Sequence, residues 1–424
     1  MPAGRISARY WIETGGSLEE AAAALASAQS GGTFVRVPGE TDELRLRHAA
    51  RVEELRELEG AEAPSLPGAR PPAEPGRKAA YRRGEALISW PLENMGTSLP
   101  NVMSAVAGNL FELKPFSGLR LLDLTFPREF LGAYSGPQFG VDGTRRLAGV
   151  YGRPLIGTII KPSVGLSPEE TAALVRTLVE AGVDFIKDDE LRADGPHCPF
   201  ERRVDEVLPV LNEHADRTGK KVMYAFNLTG EVDEMLRRQE YVAARGGTCV
   251  MVSILSAGLA AVAHLRRHCA LPIHAHRNGW GLFSRSPAIG VSFIAYQKIW
   301  RLAGVDHLHV NGLASKFCED DESVIGSARE CLTPMFDLPG RGCEVMPVFG
   351  SGQSVKQAPG TYQALGSADL IYVCGGGVMA HPDGPAAGVR SLRQAWEAAM
   401  SGRPAADYAR DHPELRRALE RFAG

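Results

Sequence analysis

"LIGTIIKPSVGLSPEETAALVRTLVEAGVDFIKDD", residues 155–189, joins a β-rich apolar run to a second one through a loop and an amphipathic helix. Ser167 stands as the helix N-cap, Pro168 takes the first helical position, Glu170 closes a capping box and Gly182 stops the helix. Two strands linked through one helix lie parallel. With "LIGTII" (155–160) and "VDFIKDD" (183–189), six further runs keep the same beat: "KVMYAFNLT" (221–229), "CVMVSIL" (249–255), "LPIHAHR" (271–277), "VDHLHVN" (305–311), "VMPVFGS" (345–351) and "DLIYVCGG" (369–376). Eight near-continuous apolar strands alternating with helices predict an α/β fold closed as a (β/α)8 TIM barrel; a doubly wound open sheet is the rival. Residues 386–424 read as helices packed outside it.

Upstream the pattern changes. "SARYWIE" reads as a strand, "SLEEAAAALASAQS" as a helix with Ser17 and Glu20 in a capping box, and "GTFVRVPGE" as another strand. The Pro-, Ala- and Gly-rich stretch 60–78 reads as an exposed loop, because strand-like "EALISWPL" follows; "NVMSAVAGN" reads as a helix and "LRLLDLTFP" as a strand. The expected division is an α+β domain over 1–135 and the barrel with its C-terminal helices over 136–424. A formal net charge of −3 lacks the basic excess of a nucleic-acid binder. The N-terminus has no apolar leader and no run is long enough for a membrane span, so a cytoplasmic protein is expected. Seven scattered cysteines without C-x-x-C spacing read as reduced thiols, with Cys249 and Cys374 as small buried hydrophobes.

Catalytic groups of such barrels gather at the C-terminal ends of the strands. Lys161 follows the first strand, and Lys187, Asp189 and Glu190 the second. The fifth supplies His274, His276 and Arg277, and the sixth His307, His309 and then Lys316. Strand alternation puts Lys187 and Asp189 on one side and Asp188 on the other, outward from the barrel. Alone, "KDDE" reads as a solvated charge cluster. At a strand end its two carboxylates suit Mg²⁺, a hard cation with oxygen ligands. An ammonium among them must either form a structural ion pair or lose its charge, as carbamylation by CO₂ would achieve. "GSGQS" (350–354) and "CGGGVM" (374–379) follow strands seven and eight, where glycine lets backbone N–H groups approach a phosphate. Arg277, His309 and Lys316 are available for a second phosphate or the reacting centre. Of each alternating histidine pair one is expected deep in the barrel, leaving His276 and His309 nearer the mouth.

"GTIIKPSVGLS", "GVDFIKDDE", "HAHR" and "DHLHVNGLASK", in this order along nearly the whole chain, resemble the large chain of ribulose-bisphosphate carboxylase, RuBisCO. The resemblance implies a ferredoxin-like N-terminal domain, a C-terminal barrel, and a homodimer, or a larger assembly of dimers, in which the N-terminal domain of one subunit caps the barrel of the other. It implies Mg²⁺ held by a carbamylated Lys187 with Asp189 and Glu190. Lys161 matches the lysine that moves the proton in enolisation, His276 a general base, Arg277 and His309 a phosphate pair, and Lys316 the mobile-loop lysine. Gly352, Gly375 and Gly376 match the other phosphate site with Thr33, and Asn109 reaches the metal site from the neighbouring subunit.

Four departures redirect the expected reaction. Ser163 replaces the second lysine of the carboxylase "KPK", Ala28 stands where an acidic residue partners the loop lysine, and Gly350, with Ser351 beside it, aligns with a phosphate-binding serine. "VNGLASKF" replaces the glycine-rich loop after strand six. These changes resemble the RuBisCO-like proteins, and "HRNGWG" with "HVNGLASKF" the branch from non-photosynthetic bacteria. The expectation is therefore a Mg²⁺-dependent enzyme that forms an enediolate from a phosphorylated 3-oxo sugar acid by decarboxylation, of the 3-oxo-isoapionate 4-phosphate type. A methionine-salvage enolase or isomerase is the runner-up, and Arg277 and His309 argue against it because a thiomethyl group needs an apolar pocket. A non-catalytic phospholigand-binding barrel stands behind both, and true carboxylation of ribulose bisphosphate last.

Overall fold

The computed structural model describes residues 4–31, 37–72 and 80–423. Four strands come first: β1 (Arg5–Thr14), β2 (Arg51–Ala61), β3 (Tyr81–Pro91) and β4 (Phe116–Thr125). Five follow with helices between them: β5 (Leu155–Ile159), β6 (Phe185–Lys187), β7 (Met223–Asn227), β8 (Cys249–Ser253) and β9 (Ile273–His276). Then come β10 (Ile289–Val291), β11 (His307–Asn311), β12 (Met346–Phe349) and β13 (Ile371–Val373). The chain divides into two compact units, Met1–Ser135 with Gly279–Leu302, and Gly136–Asn278 with Ala303–Gly424.

In the first unit β4, β1, β3 and β2 form an antiparallel sheet, and β10 adds a fifth strand parallel to β4. The helix Leu18–Ala28 buries Leu18, Ala21, Ala22 and Leu25, and Ser17 Oγ accepts from the Glu20 amide at 3.2 Å. The other half of the expected capping box differs: Ser17 Oγ donates to Glu19 at 2.7 Å. Two readings are corrected. Gly279–Leu302, assigned above to the barrel half, packs in this unit, where Arg120 donates to the Ser286 carbonyl at 2.6 Å and Lys298 pairs with Asp123 at 2.6 Å. The stretch "GTFVRVPGE" is no strand over 37–40, where the chain turns; residues 32–36, Thr33 among them, lie outside the described residues.

The second unit is a closed barrel in the order β11-β12-β13-β5-β6-β7-β8-β9, each adjacent pair parallel. All eight expected runs supply its strands, and closure excludes the open sheet. The helix Pro168–Glu180 carries the complete capping box between Ser167 and Glu170. Leu155, Phe185, Met223, Met251, Met346, Val348 and Ile371 fill the interior as one apolar cluster. The strand beginnings are tied by buried carboxylates: Asp184 pairs with Arg153 at 2.5 Å and Lys220 at 2.7 Å, and Asp306 with Arg266 at 3.0 Å. All seven cysteines are free thiols; Cys249 and Cys374 are buried. Among the described residues no helix is long and apolar enough to cross a membrane.

Candidate active site

The lip of the barrel is built where β6 stops. Lys187, its last residue, points inward and is buried, and its Nζ donates to the Asp188 carbonyl at 2.7 Å. Removal from water disfavours the ammonium, while Glu190, Asp189 and Asp188 favour it; burial wins and brings the Lys187 pKa down to about 8. Asp188 faces away from the lumen yet not into water. It is fully buried and accepts from Arg203 Nε at 3.1 Å, Tyr224 Oη at 2.6 Å and the Asn227 amide at 3.0 Å.

Asp189 faces the mouth. Its Oδ2 accepts from Lys161 Nζ at 2.6 Å and its Oδ1 from the Leu191 amide at 3.1 Å. Burial alone would raise this carboxyl, but those hydrogen bonds outweigh it and hold the pKa below the usual aspartate value. Lys161 donates a second bond, at 2.7 Å, to Ser163 Oγ, so the serine that replaces the expected lysine serves as an acceptor. Glu190 Oε2 lies 3.5 Å from His276 Nε2. Among the described residues no group of three or more His, Cys, Asp or Glu side chains is placed to hold a metal ion.

Asn227, at the end of β7, was missed in the sequence although it is the polar residue at a strand end. Its Nδ2 donates to the carbonyls of Asp189 and Glu190 at 3.3 and 3.2 Å, which fixes the turn carrying both carboxylates. Four imidazoles line the lumen on β9 and β11. His274 and His307 lie deepest, their rings 5.0 and 5.8 Å from Phe185. His309 shares a hydrogen bond with His274 between their Nε2 atoms at 2.8 Å, and its ring lies 4.6 Å from that of His276. Burial, aided by the Lys187 charge, lowers His276 to about 4, which leaves it neutral at pH 7.

The glycine loops close over the two lysines. A Cβ on Gly375 would stand 3.2 Å from Lys161 Cε, and one on Gly352 (φ +82°) 3.5 Å from the Lys316 amide nitrogen. The Lys316 amide donates to the Ser351 carbonyl at 3.4 Å, while its side chain is exposed. Gly376 has open space where a Cβ would go, and Gly350 sits against Val373 and His309. Arg277 is paired with Glu319, a partner that the sequence reading did not assign. Asn109 lies exposed in the first unit, at the start of the short turn Asn109–Glu112.

Residues 140–422 match the family model described as ribulose bisphosphate carboxylase large chain, catalytic domain, and residues 6–130 the N-terminal domain of the same chain. The chain is 54% identical, over 98% of each sequence, to the 3-oxo-isoapionate-4-phosphate transcarboxylase/hydrolase of Xanthobacter autotrophicus. It is 48% identical to the 3-oxo-isoapionate-4-phosphate decarboxylase of Rhizobium rhizogenes, over 99% of this chain and 98% of that one. The crystal structure of a RuBisCO-like protein from Burkholderia fungorum superposes with a TM-score of 0.90 at 46% identity, covering 99% of this chain and all of that one.

Proposed function

The chain belongs to the ribulose bisphosphate carboxylase large-chain family, and from that premise we propose that it is a Mg²⁺-dependent carboxy-lyase acting on a phosphorylated 3-oxo sugar acid of the 3-oxo-isoapionate 4-phosphate kind. The observation that carries this reading is Lys161 held between Asp189 and Ser163 beside the buried Lys187. A proton donor is positioned there, while the second lysine of a carboxylase is absent.

The donor set fits Mg²⁺. Asp189 and Glu190 offer oxygens, and Lys187 offers a third once its amine adds CO₂ as a carbamate. That addition needs the neutral amine, and a pKa near 8 makes it accessible close to neutrality. When bound, the ion polarises the substrate ketone and steadies the negative charge that develops on its oxygen. The chain's own residues do the rest. The bond to the β-carboxylate breaks, its electrons pass toward the ketone, CO₂ leaves and an enediolate remains. Lys161 delivers a proton to the carbon that lost the carboxylate, oriented by Ser163 and Asp189. Neutral His276 accepts from a substrate hydroxyl through Nε2 in the tautomer whose Nδ1–H donates to Asn278 Oδ1 at 3.3 Å. Lys316 grips the departing carboxylate, and the phosphate lies at Gly352, Gly375 and Gly376 with Thr33.

The test is incubation of the purified protein with Mg²⁺ and 3-oxo-isoapionate 4-phosphate, alongside a panel of ketose phosphates in D₂O. CO₂ release from the 3-oxo acid is expected; deuterium exchange without CO₂ would remove the decarboxylase assignment and leave enolisation. Acid-stable label from bicarbonate and ribulose bisphosphate would reverse the reading toward carbon fixation. The 54% identical transcarboxylase/hydrolase favours a second outcome, in which the carboxyl carbon stays in an organic product. Carbon-13 labelling of that carboxylate separates the two. The assembly proposed with this reaction is a homodimer in which Asn109 of one subunit completes the site of the other.

A further inference from the structure

The two residues expected to bind a second phosphate are both engaged within the protein. Arg277, 5% exposed, donates to Glu319 Oε2, and Glu319 keeps only 15% of its side-chain surface. The carboxylate is tied down from two further directions, by Asn311 Nδ2 at 2.6 Å and Ser323 Oγ at 2.9 Å. Ser351, beside the position of the family's phosphate-binding serine, donates to Asn311 Oδ1 at 3.2 Å and so belongs to the same chain of bonds. The other member of the expected pair, His309, commits its Nε2 to His274.

This network is built by the backbone. The pairing of β11 with β12 shifts register between His309 and Asn311, and Asn311 adopts a left-handed φ of +70°, a conformation that asparagine tolerates better than most residues. Both changes turn Asn311 toward Glu319, which follows the loop carrying Lys316.

We infer that Glu319 is a specificity-determining residue: it occupies the second anion site as an internal counter-ion of Arg277 and restricts the pocket to substrates with a single phosphate. A phosphate dianion brought to Arg277 meets the Glu319 carboxylate first and must either displace it or bear its repulsion. A hydroxyl-bearing end meets no such opposition, since the pair offers it both an acceptor and a donor. At the glycine loops Gly376 leaves open space and backbone N–H groups can approach an anion closely, so the single phosphate goes there. The inference rests on the proposed function only for which end of the substrate is phosphorylated.

Calorimetric titration with Mg²⁺ present tests it, with ribulose 5-phosphate and ribulose 1,5-bisphosphate as probes. The wild type should bind the bisphosphate more weakly than the monophosphate, because the Glu319 carboxylate opposes the second phosphate, whereas Glu319→Gln should tighten the bisphosphate by about tenfold or more with little change for the monophosphate. Glu319→Ala, with its fold checked by circular dichroism, should move the ratio in the same direction. A wild type that binds the bisphosphate as tightly as the monophosphate or tighter, or an unchanged ratio in both variants, overturns the inference. A shifted ratio in a protein that releases no CO₂ would sink the proposed reaction and leave Glu319 in this role. A decarboxylase with an unshifted ratio would do the reverse.

Discussion

Lys187 and Asp188 are neighbours with opposite fates, decided by which side of the strand each occupies. Lys187 enters the mouth, where its lowered pKa suits carbamate formation; Lys187→Ala should abolish turnover and Mg²⁺ binding together, as measured by CO₂ release and by metal titration. Lys161→Met should reduce kcat by about 10²–10⁴-fold, the usual worth of a positioned proton donor, with little change in KM. Asp188 has a structural task. Its carboxylate is the ion-pair partner of Arg203, neither group touching solvent. Asp188→Ala leaves that guanidinium buried and uncompensated, a change that costs about 3–5 kcal/mol, so the urea midpoint should fall sharply. An unchanged midpoint would contradict this account. The alternation of "FIKDDE" placed these side chains on the correct faces of the strand, but it did not reveal that outward from a barrel means under a helix layer.

At the level of elements, β9 and β11 carry four histidines into a lumen that disfavours their charged form. Burial brings His307 to about 3 and holds His274 and His309 well below the usual histidine value. The unfolded chain takes up these protons near pH 6.5, whereas the folded barrel does not until far lower. Stability is therefore full above about 6.5 and is lost as pH falls below it, by at most about 1.4 kcal/mol per pH unit for each histidine. Urea midpoints at decreasing pH should decline over this range, and His307→Gln should flatten the slope; equal slopes in the two proteins would refute the assignment. The barrel strands were legible because burial on both faces makes them continuous apolar runs. Strand β2 was not. "RVEELRELEGA" is largely exposed, lies at the sheet edge and is built from residues that favour helices, so its pairing with β3 comes from tertiary contact.

For the whole molecule, the proposed assembly is a homodimer that shares Asn109 between subunits. If Asn109 serves the neighbouring subunit, the protein should have about twice the 45.6 kDa chain mass by light scattering. Mixing inactive Asn109→Ala with inactive Lys187→Ala should then restore part of the activity through hybrid dimers, each with one intact site. No recovery after verified subunit exchange would place a complete site within each chain. The second compact unit supplies Lys161, Lys187, Asp189, Glu190, His276 and Lys316, and the first holds Asn109.

The sequence alone determined the eightfold βα repeat, because burial on both faces and helix capping are local properties written in short windows. It also determined the kinds of side chain at the strand ends, and through motif order the family. Tertiary structure alone decided the pairings that set their chemistry: Lys161 with Asp189 and Ser163, Asp188 with Arg203, Asn227 under the carboxylate turn, and Glu319 on Arg277. Lys161 and Asp189, Asn227 and the carboxylate turn, and Glu319 and Arg277 come from different βα units, whose spacing along the chain says nothing of distance. What an ionisable group does depends on how far it is removed from water and on which charge stands beside it, and both are fixed only when the barrel closes.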